Sequence, residues 1–233
     1  MKLALSALMA TAVVALTGAP ALAADPPPPP AAPCADCVGV VGDSLTFQAG
    51  KGEAQLTKAI KKRGYAPEKI KVDGLPSRSI AGSVVSPSSL DVIKSWRAAG
   101  FDPKIFVIAL GSGNKNAQPA AWTKEVNKVL TEIGPGHEVH WIGLGFKDAA
   151  DPRVQSFTDT VKVIPGLIFE DWNTYVRAQP QDGIWLAGDD QGVHMTGVGY
   201  VIRNTWTASV LPAGPIPPAV HGSPNAGPDQ TQL

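Results

Sequence analysis

The chain has 233 residues, enough to bury one substantial core, and no fixed-period repeat points to a solenoid or propeller. Its 20 Lys and Arg balance 20 Asp and Glu, so no basic surplus exists to hold a phosphate backbone or an anionic membrane surface. Nucleic acid is excluded as an expected partner.

The N-terminus carries Lys2, an apolar run from Leu3 to Leu16 and the small-residue pattern Ala21-Leu22-Ala23. This is the layout of a signal peptide over residues 1–23, with an apolar stretch too short for a stable membrane span. The product is expected outside the cytoplasm, either secreted or in the periplasm or cell envelope. Residues 24–33 are almost all Pro and Ala and read as an extended spacer. Cys34 and Cys37 are the only cysteines. After export they are expected to close a small disulfide rather than form a redox centre, and two thiols are too few for a structural zinc site.

Val38 to Val41 reads as a buried strand and Glu53 to Arg63 as a helix with a Lys-rich outer face. Ile70 to Val72 is a short second strand, and Ser89 to Ala99 is helical. Lys104 to Leu110 is the clearest buried strand. A helix over Ala120–Ile133, a strand over Glu138–Leu144, a helix over Arg153–Val163, a fifth strand over Gly166–Phe169 and a closing helix over Val198–Val210 complete the pattern. The domain therefore spans residues 34–211, followed by a Pro- and Gly-rich tail over 212–233. Strands alternating with helices imply a mainly parallel α/β sheet, whose active groups gather at the carboxyl ends of the strands.

The chemistry-bearing residues fall just after strands. Ser44, in Gly42-Asp43-Ser44-Leu45, follows the first strand, but a serine hydroxyl attacks only when a base takes its proton. Of the four histidines, His137 and His140 belong to a strand and its entry, and His221 lies in the tail. His194 follows the acidic turn Gly188-Asp189-Asp190-Gln191-Gly192-Val193 and precedes the last helix, which makes it the best base. Asp43 reads as a hydrogen-bonding residue of the Ser44 turn. Most of the six tryptophans read as core, with Trp172 and Trp185 expected to line a cleft near the His194 loop. No His, Asp or Glu set has metal-ligand spacing and no phosphate-cradling loop follows the first strand, so no cofactor is expected.

Gly42-Asp43-Ser44-Leu45 near the start and Gly192-Val193-His194-Met195-Thr196 near the end, together with two blocks between them, resemble the SGNH (GDSL-type) hydrolases. The resemblance implies a three-layer, flavodoxin-like α/β/α fold with a five-stranded sheet. It also implies a Ser44 nucleophile, a His194 general base and an oxyanion hole made by the N–H groups of Ser44 and Ser77 and the side chain of Asn114. Ser77 stands where the family usually has Gly. Asn114 stands three residues after Gly111, one more than the family spacing, with Asn116 a weaker substitute. The family's acid lies three residues before the histidine, where this chain has Gln191. Asp190, four before, is the expected orienting carboxylate, with Asp189 or a Ser–His dyad as alternatives. A monomeric serine esterase acting on lipid or O-acylated carbohydrate esters follows. A cell-envelope O-acyltransferase, or a degenerate hydrolase that binds glycan or lipid without turnover, stays open.

Overall fold

The computed structural model describes residues 32–48, 51–82, 85–114 and 118–215. The expected signal peptide, most of the spacer, Asn116, His221 and most of the tail lie outside the described residues.

The elements run β1 (Cys34–Gly42), α1 (Ser44–Phe47), α2 (Gly52–Lys62), β2 (Ile70–Gly74), α3 (Ser89–Ala98), β3 (Pro103–Ala109) and α4 (Pro119–Ile133). They continue through β4 (Glu138–Ile142), α5 (Pro152–Val161), β5 (Ile168–Glu170), α6 (Trp172–Arg177) and α7 (Gly197–Ser209). The five strands form one parallel sheet in the order β2-β1-β3-β4-β5. Helices α2, α7 and α6 pack side by side, as do α3, α4 and α5, and the helices cover both faces of the sheet. Strands sealed on both faces need continuous apolar runs rather than alternation. Val38, Val40 and Val41 of β1 and Phe106, Val107 and Ile108 of β3 supply them, each fully buried.

The strand order reverses direction at β1, so chain segments diverge on either side of its carboxyl end and leave a crevice there. Gly42, the last residue of β1, pairs with Gly74 at the end of β2 and with Ala109 at the end of β3. That register brings the segments after all three strands, which carry Ser44, Ser77 and Asn114, to one edge of the sheet.

Two elements differ from expectation. Strand β1 begins at Cys34, because its N–H donates to Asp102 O at 2.7 Å and it pairs with Pro103. The expected Cys34–Cys37 disulfide is present, with its Cα atoms 5.3 Å apart, and it spans the register shift between Cys34 and Val38. The staple is therefore part of the first strand instead of preceding it. Helix α6 lacks a long apolar period and is set by its cap, the Asp171 carboxylate accepting the Thr174 N–H at 3.0 Å. It carries Trp172 into the core at 1% exposure, against Trp206 at 5.2 Å between ring centroids, so Trp172 lines no cleft. No described helix is long and apolar enough to cross a membrane.

His140 lies on β4 with Nε2 2.6 Å from Glu138 and Nδ1 2.7 Å from Glu170 of β5. Both ring nitrogens can donate only in the imidazolium form. Burial opposes that charge, but the bonds to Glu170 and Glu138 outweigh it and raise the pKa above the ordinary 6.5. A raised folded-state pKa gives stability that is complete below the unfolded value and is lost as pH rises through the folded one. The gap in Tm between wild type and His140→Gln is thus expected to be widest below about pH 6.5 and to shrink on the alkaline side. Thermal melts across that range check it.

Candidate active site

Ser44 opens the short helix α1 directly after β1. The turn is tight enough that a Cβ on Gly42 would lie 1.9 Å from Thr46 Oγ1, so this position requires glycine. Asp43 caps the helix, its Oδ1 accepting the Leu45 N–H at 3.0 Å, and its Oδ2 accepts the Ser112 hydroxyl at 2.6 Å. The Ser44 turn is thereby tied to the loop after β3. Burial pushes the Asp43 carboxyl above its ordinary pKa, while the Ser112 hydroxyl, the buried Arg203 guanidinium of α7 and the Leu45 N–H pull the other way.

His194 comes from the loop preceding α7, 150 positions from Ser44, and its Nε2 lies 3.2 Å from Ser44 Oγ. The antiparallel bridge of Trp185 with Met195, and the Leu186 N–H donating to His194 O at 3.1 Å, hold this loop. Trp185 is half-buried, its Nε1 donating to Gln181 Oε1 at 3.2 Å and its ring lying under the Arg177 guanidinium.

Asp189, and not Asp190, sits against the histidine. Its Oδ2 is 3.4 Å from His194 Nδ1 and accepts the N–H groups of Val193 and His194, each at 2.7 Å. The Gly192 N–H donates to Asp189 O at 2.9 Å, with Gly192 in the left-handed region at φ 61°. The chain thus turns back on itself over residues 189–192, which carries a carboxylate five positions upstream to the imidazole and leaves Asp190 and Gln191 exposed. This corrects the expectation for Asp190: spacing along the chain misleads where a reverse turn absorbs the extra residues. Burial works against the Asp189 charge, but the two N–H donors and the imidazole hold the carboxyl below its ordinary pKa.

The three candidate oxyanion donors share the edge. The Ser44 N–H is among the first N–H groups of α1, which have no intrahelical acceptor. Ser77 is at φ 61°, the left-handed conformation that favours glycine, and it bears a side chain there. That conformation costs a non-glycine residue about 1–2 kcal/mol, offset by about 0.4–1 kcal/mol from the freer unfolded chain of a glycine variant. Ser77→Gly is expected to raise stability by about 0.5–1 kcal/mol in a urea titration. Asn114 closes a turn with its N–H on Gly111 O at 3.0 Å, and its Oδ1 accepts the Ile80 N–H at 3.3 Å. With the oxygen so engaged, the amide Nδ2 is the end left to donate. Ser112 lies in the same loop, and its hydroxyl reaches Asp43.

Two buried side chains that organise this edge were not singled out in the sequence. Ser112 is one. Arg78, 1% exposed, donates to Gly42 O and Asp73 O at 3.0 Å, Pro87 O at 3.2 Å and Asp73 Oδ1 at 2.6 Å. It ties the Ser77 turn to the strand end that carries Ser44. A cation inside an otherwise turn-like Ser-rich block was the available signal. His137 and His140 are structural, bonded to Asp102 and to the Glu138 and Glu170 pair respectively.

No protein-family model matches the chain, and no curated protein matches it. Solved structures do. A member of the lipolytic G-D-S-L family from Veillonella parvula is 13% identical with a TM-score of 0.55, covering 75% of this chain and 96% of that one. An inhibitor-bound aryl esterase of M. smegmatis is 14% identical with a TM-score of 0.52, covering 76% and 98%. The C-terminal catalytic domain of Streptococcus pneumoniae peptidoglycan O-acetyltransferase A, carrying a methylsulfonyl adduct, is 17% identical with a TM-score of 0.51, covering 75% and 89%. The chain has the fold of the SGNH hydrolases.

Proposed function

We propose that this protein is an exported serine esterase that cleaves carboxylic esters of lipid or O-acylated carbohydrate through an acyl-Ser44 intermediate. The observation that carries the reading is the 3.2 Å approach of Ser44 Oγ and His194 Nε2 at the carboxyl edge of the sheet, from positions 150 residues apart. Apo contacts of this kind commonly tighten only when substrate binds.

In this reading His194 Nε2 takes the Ser44 proton as Oγ attacks the ester carbonyl, and the C=O electron pair moves onto oxygen. The Ser44 and Ser77 N–H groups and Asn114 Nδ2 meet that oxyanion, each such donor contributing about 3–4 kcal/mol. His194 returns the proton to the departing alcohol. Water then attacks the acyl-serine with the same base, releasing the acid and restoring the Ser44 hydroxyl. Asp189 holds the imidazole with Nδ1 protonated and stabilises the imidazolium that forms in each half. Residues 34–211 form the catalytic domain in this proposal, with 1–23 as the export signal, 24–33 as the spacer and 212–233 as the tail. The Cys34–Cys37 disulfide suits an oxidising compartment.

The likeness to an O-acetyltransferase domain favours a second reading, in which a sugar hydroxyl takes the place of water in the second half. One experiment tests both. The protein is incubated with a fluorophosphonate probe and with p-nitrophenyl acetate, with and without a saccharide acceptor. Labelling of the Ser44 peptide and release of p-nitrophenol are expected, and acetate rather than acetyl-saccharide as product supports the esterase. A folded protein that neither labels nor turns over would overturn both readings and leave a binding protein.

A further inference from the structure

His194 sits in one arm of a short antiparallel hairpin. Trp185 pairs with Met195, and two backbone bonds flank that pair: the Leu186 N–H donates to His194 O at 3.1 Å and the Thr196 N–H donates to Ile184 O at 2.8 Å. This register sets Leu186 directly across from His194. Opposite residues of an antiparallel pair turn their side chains to the same face, with Cβ atoms about 4.5–5.5 Å apart, and the next residues along each arm face the other way.

Burial follows that alternation. Val193 and Met195, on either side of His194 in the chain, are 2% and 3% exposed and pack into the core. Trp185, across from Met195, is engaged by Gln181 and Arg177. On the other face the His194 side chain is 36% exposed and Leu186 46% exposed. A lone surface leucine is ordinary, but this one is held by its own backbone beside the imidazole that bonds Ser44.

In the esterase reading, on which this inference rests, His194 Nε2 hands its proton to the departing alcohol oxygen, which must come within about 2.6–3.2 Å of it. The carbonyl oxygen is held by the segments after β1, β2 and β3, so the group attached to the alcohol oxygen leaves on the side of His194. The exposed side chain across the hairpin there is Leu186. We propose that Leu186 is a specificity-determining residue for the alcohol half of the ester, favouring an apolar alcohol, aromatic or long-chain aliphatic, over a small or polar one. Leucine offers no hydrogen bond, so it gives a sugar hydroxyl nothing in exchange for its water. It does not select the acyl chain, which lies on the far side of the scissile bond.

The test compares kcat/KM for benzyl acetate and methyl acetate, followed by pH-stat, in wild type, Leu186→Ala and Leu186→Gln. The acyl group is shared and the two alcohols are of similar acidity, so the ratio reads contact with the alcohol rather than leaving-group chemistry. Wild type is expected to prefer benzyl acetate by about tenfold or more, and each variant to reduce that preference about three- to tenfold. The ratio of methyl butyrate to methyl acetate, which varies the acyl chain instead, is expected to stay within about twofold. Leu186→Gln keeps the length of the side chain and decides the matter if circular dichroism shows the alanine variant unfolded. A benzyl-to-methyl ratio unchanged in the folded variants, or an acyl-chain ratio that falls as far, would overturn the role of Leu186 and leave the esterase reading standing. No turnover of either acetate by the folded wild type would overturn the proposal, and absence of fluorophosphonate labelling as well would overturn the esterase reading with it.

Discussion

Ser44→Ala is expected to lower kcat for p-nitrophenyl acetate by about 10⁴–10⁶-fold and to abolish fluorophosphonate labelling, while His194→Ala loses about as much. The size follows from the division of labour between the two side chains. Without Oγ no acyl-enzyme forms, and only the oxyanion donors and substrate binding remain, which support a residual rate through direct attack by water. Without the imidazole the hydroxyl keeps its proton and attacks no better than an ordinary alcohol. Because the two groups act as one unit across the 3.2 Å contact, the double variant is expected to lose no more than the worse single one. Steady-state kinetics on the three variants, with matched melting curves, check this. Labelling and turnover that persist in Ser44→Ala would remove the nucleophile from that position, and multiplicative losses would show that the two residues do not act as a pair.

Ser44 and His194 were legible because each is marked by local chemistry: a small-residue turn after an apolar strand, and a polar loop before the closing helix. The strands of the sheet were legible for the same reason, since Val38–Val41 and Ile105–Leu110 have no polar position that could face water. Helix α6 was not, because a six-residue helix has too few turns to show a 3.6-residue period, and its single clear signal is the Asp171 cap. Trp172 was misjudged with it, since closeness in sequence to the His194 loop says nothing about which way a helix turns its face. Arg78 and Ser112 were hidden for a different reason. Their partners include the Gly42 carbonyl at the end of β1 for one and the Asp43 carboxylate just after it for the other, and only the register of β2, β1 and β3 brings those within reach.

The orienting carboxylate separates reading by spacing from reading by geometry, and it gives the second large expected effect. Asp189→Asn is expected to lower kcat by about 10²–10⁴-fold with little change in KM, whereas Asp190→Asn should stay within about threefold of wild type. Two losses combine at Asp189. An amide cannot stabilise the imidazolium that forms as Ser44 attacks. An amide that turns its NH₂ toward Nδ1 also favours the tautomer with the proton on Nε2, which leaves no lone pair to take the Ser44 proton. The same carboxylate holds the Val193 and His194 N–H groups at 2.7 Å, so part of the loss comes from a looser loop. Asp189→Glu separates the two causes: it restores the charge but changes the reach, so it should recover part of kcat if charge dominates and none if loop geometry does. Asp190 is exposed and makes no hydrogen bond among the described residues, so its amide variant removes only a solvated charge, worth little at the histidine after screening by water. Equal, small losses at both positions would leave Ser44 and His194 working as a dyad, and a larger loss at Asp190 would mean that the 189–192 turn rearranges when substrate binds.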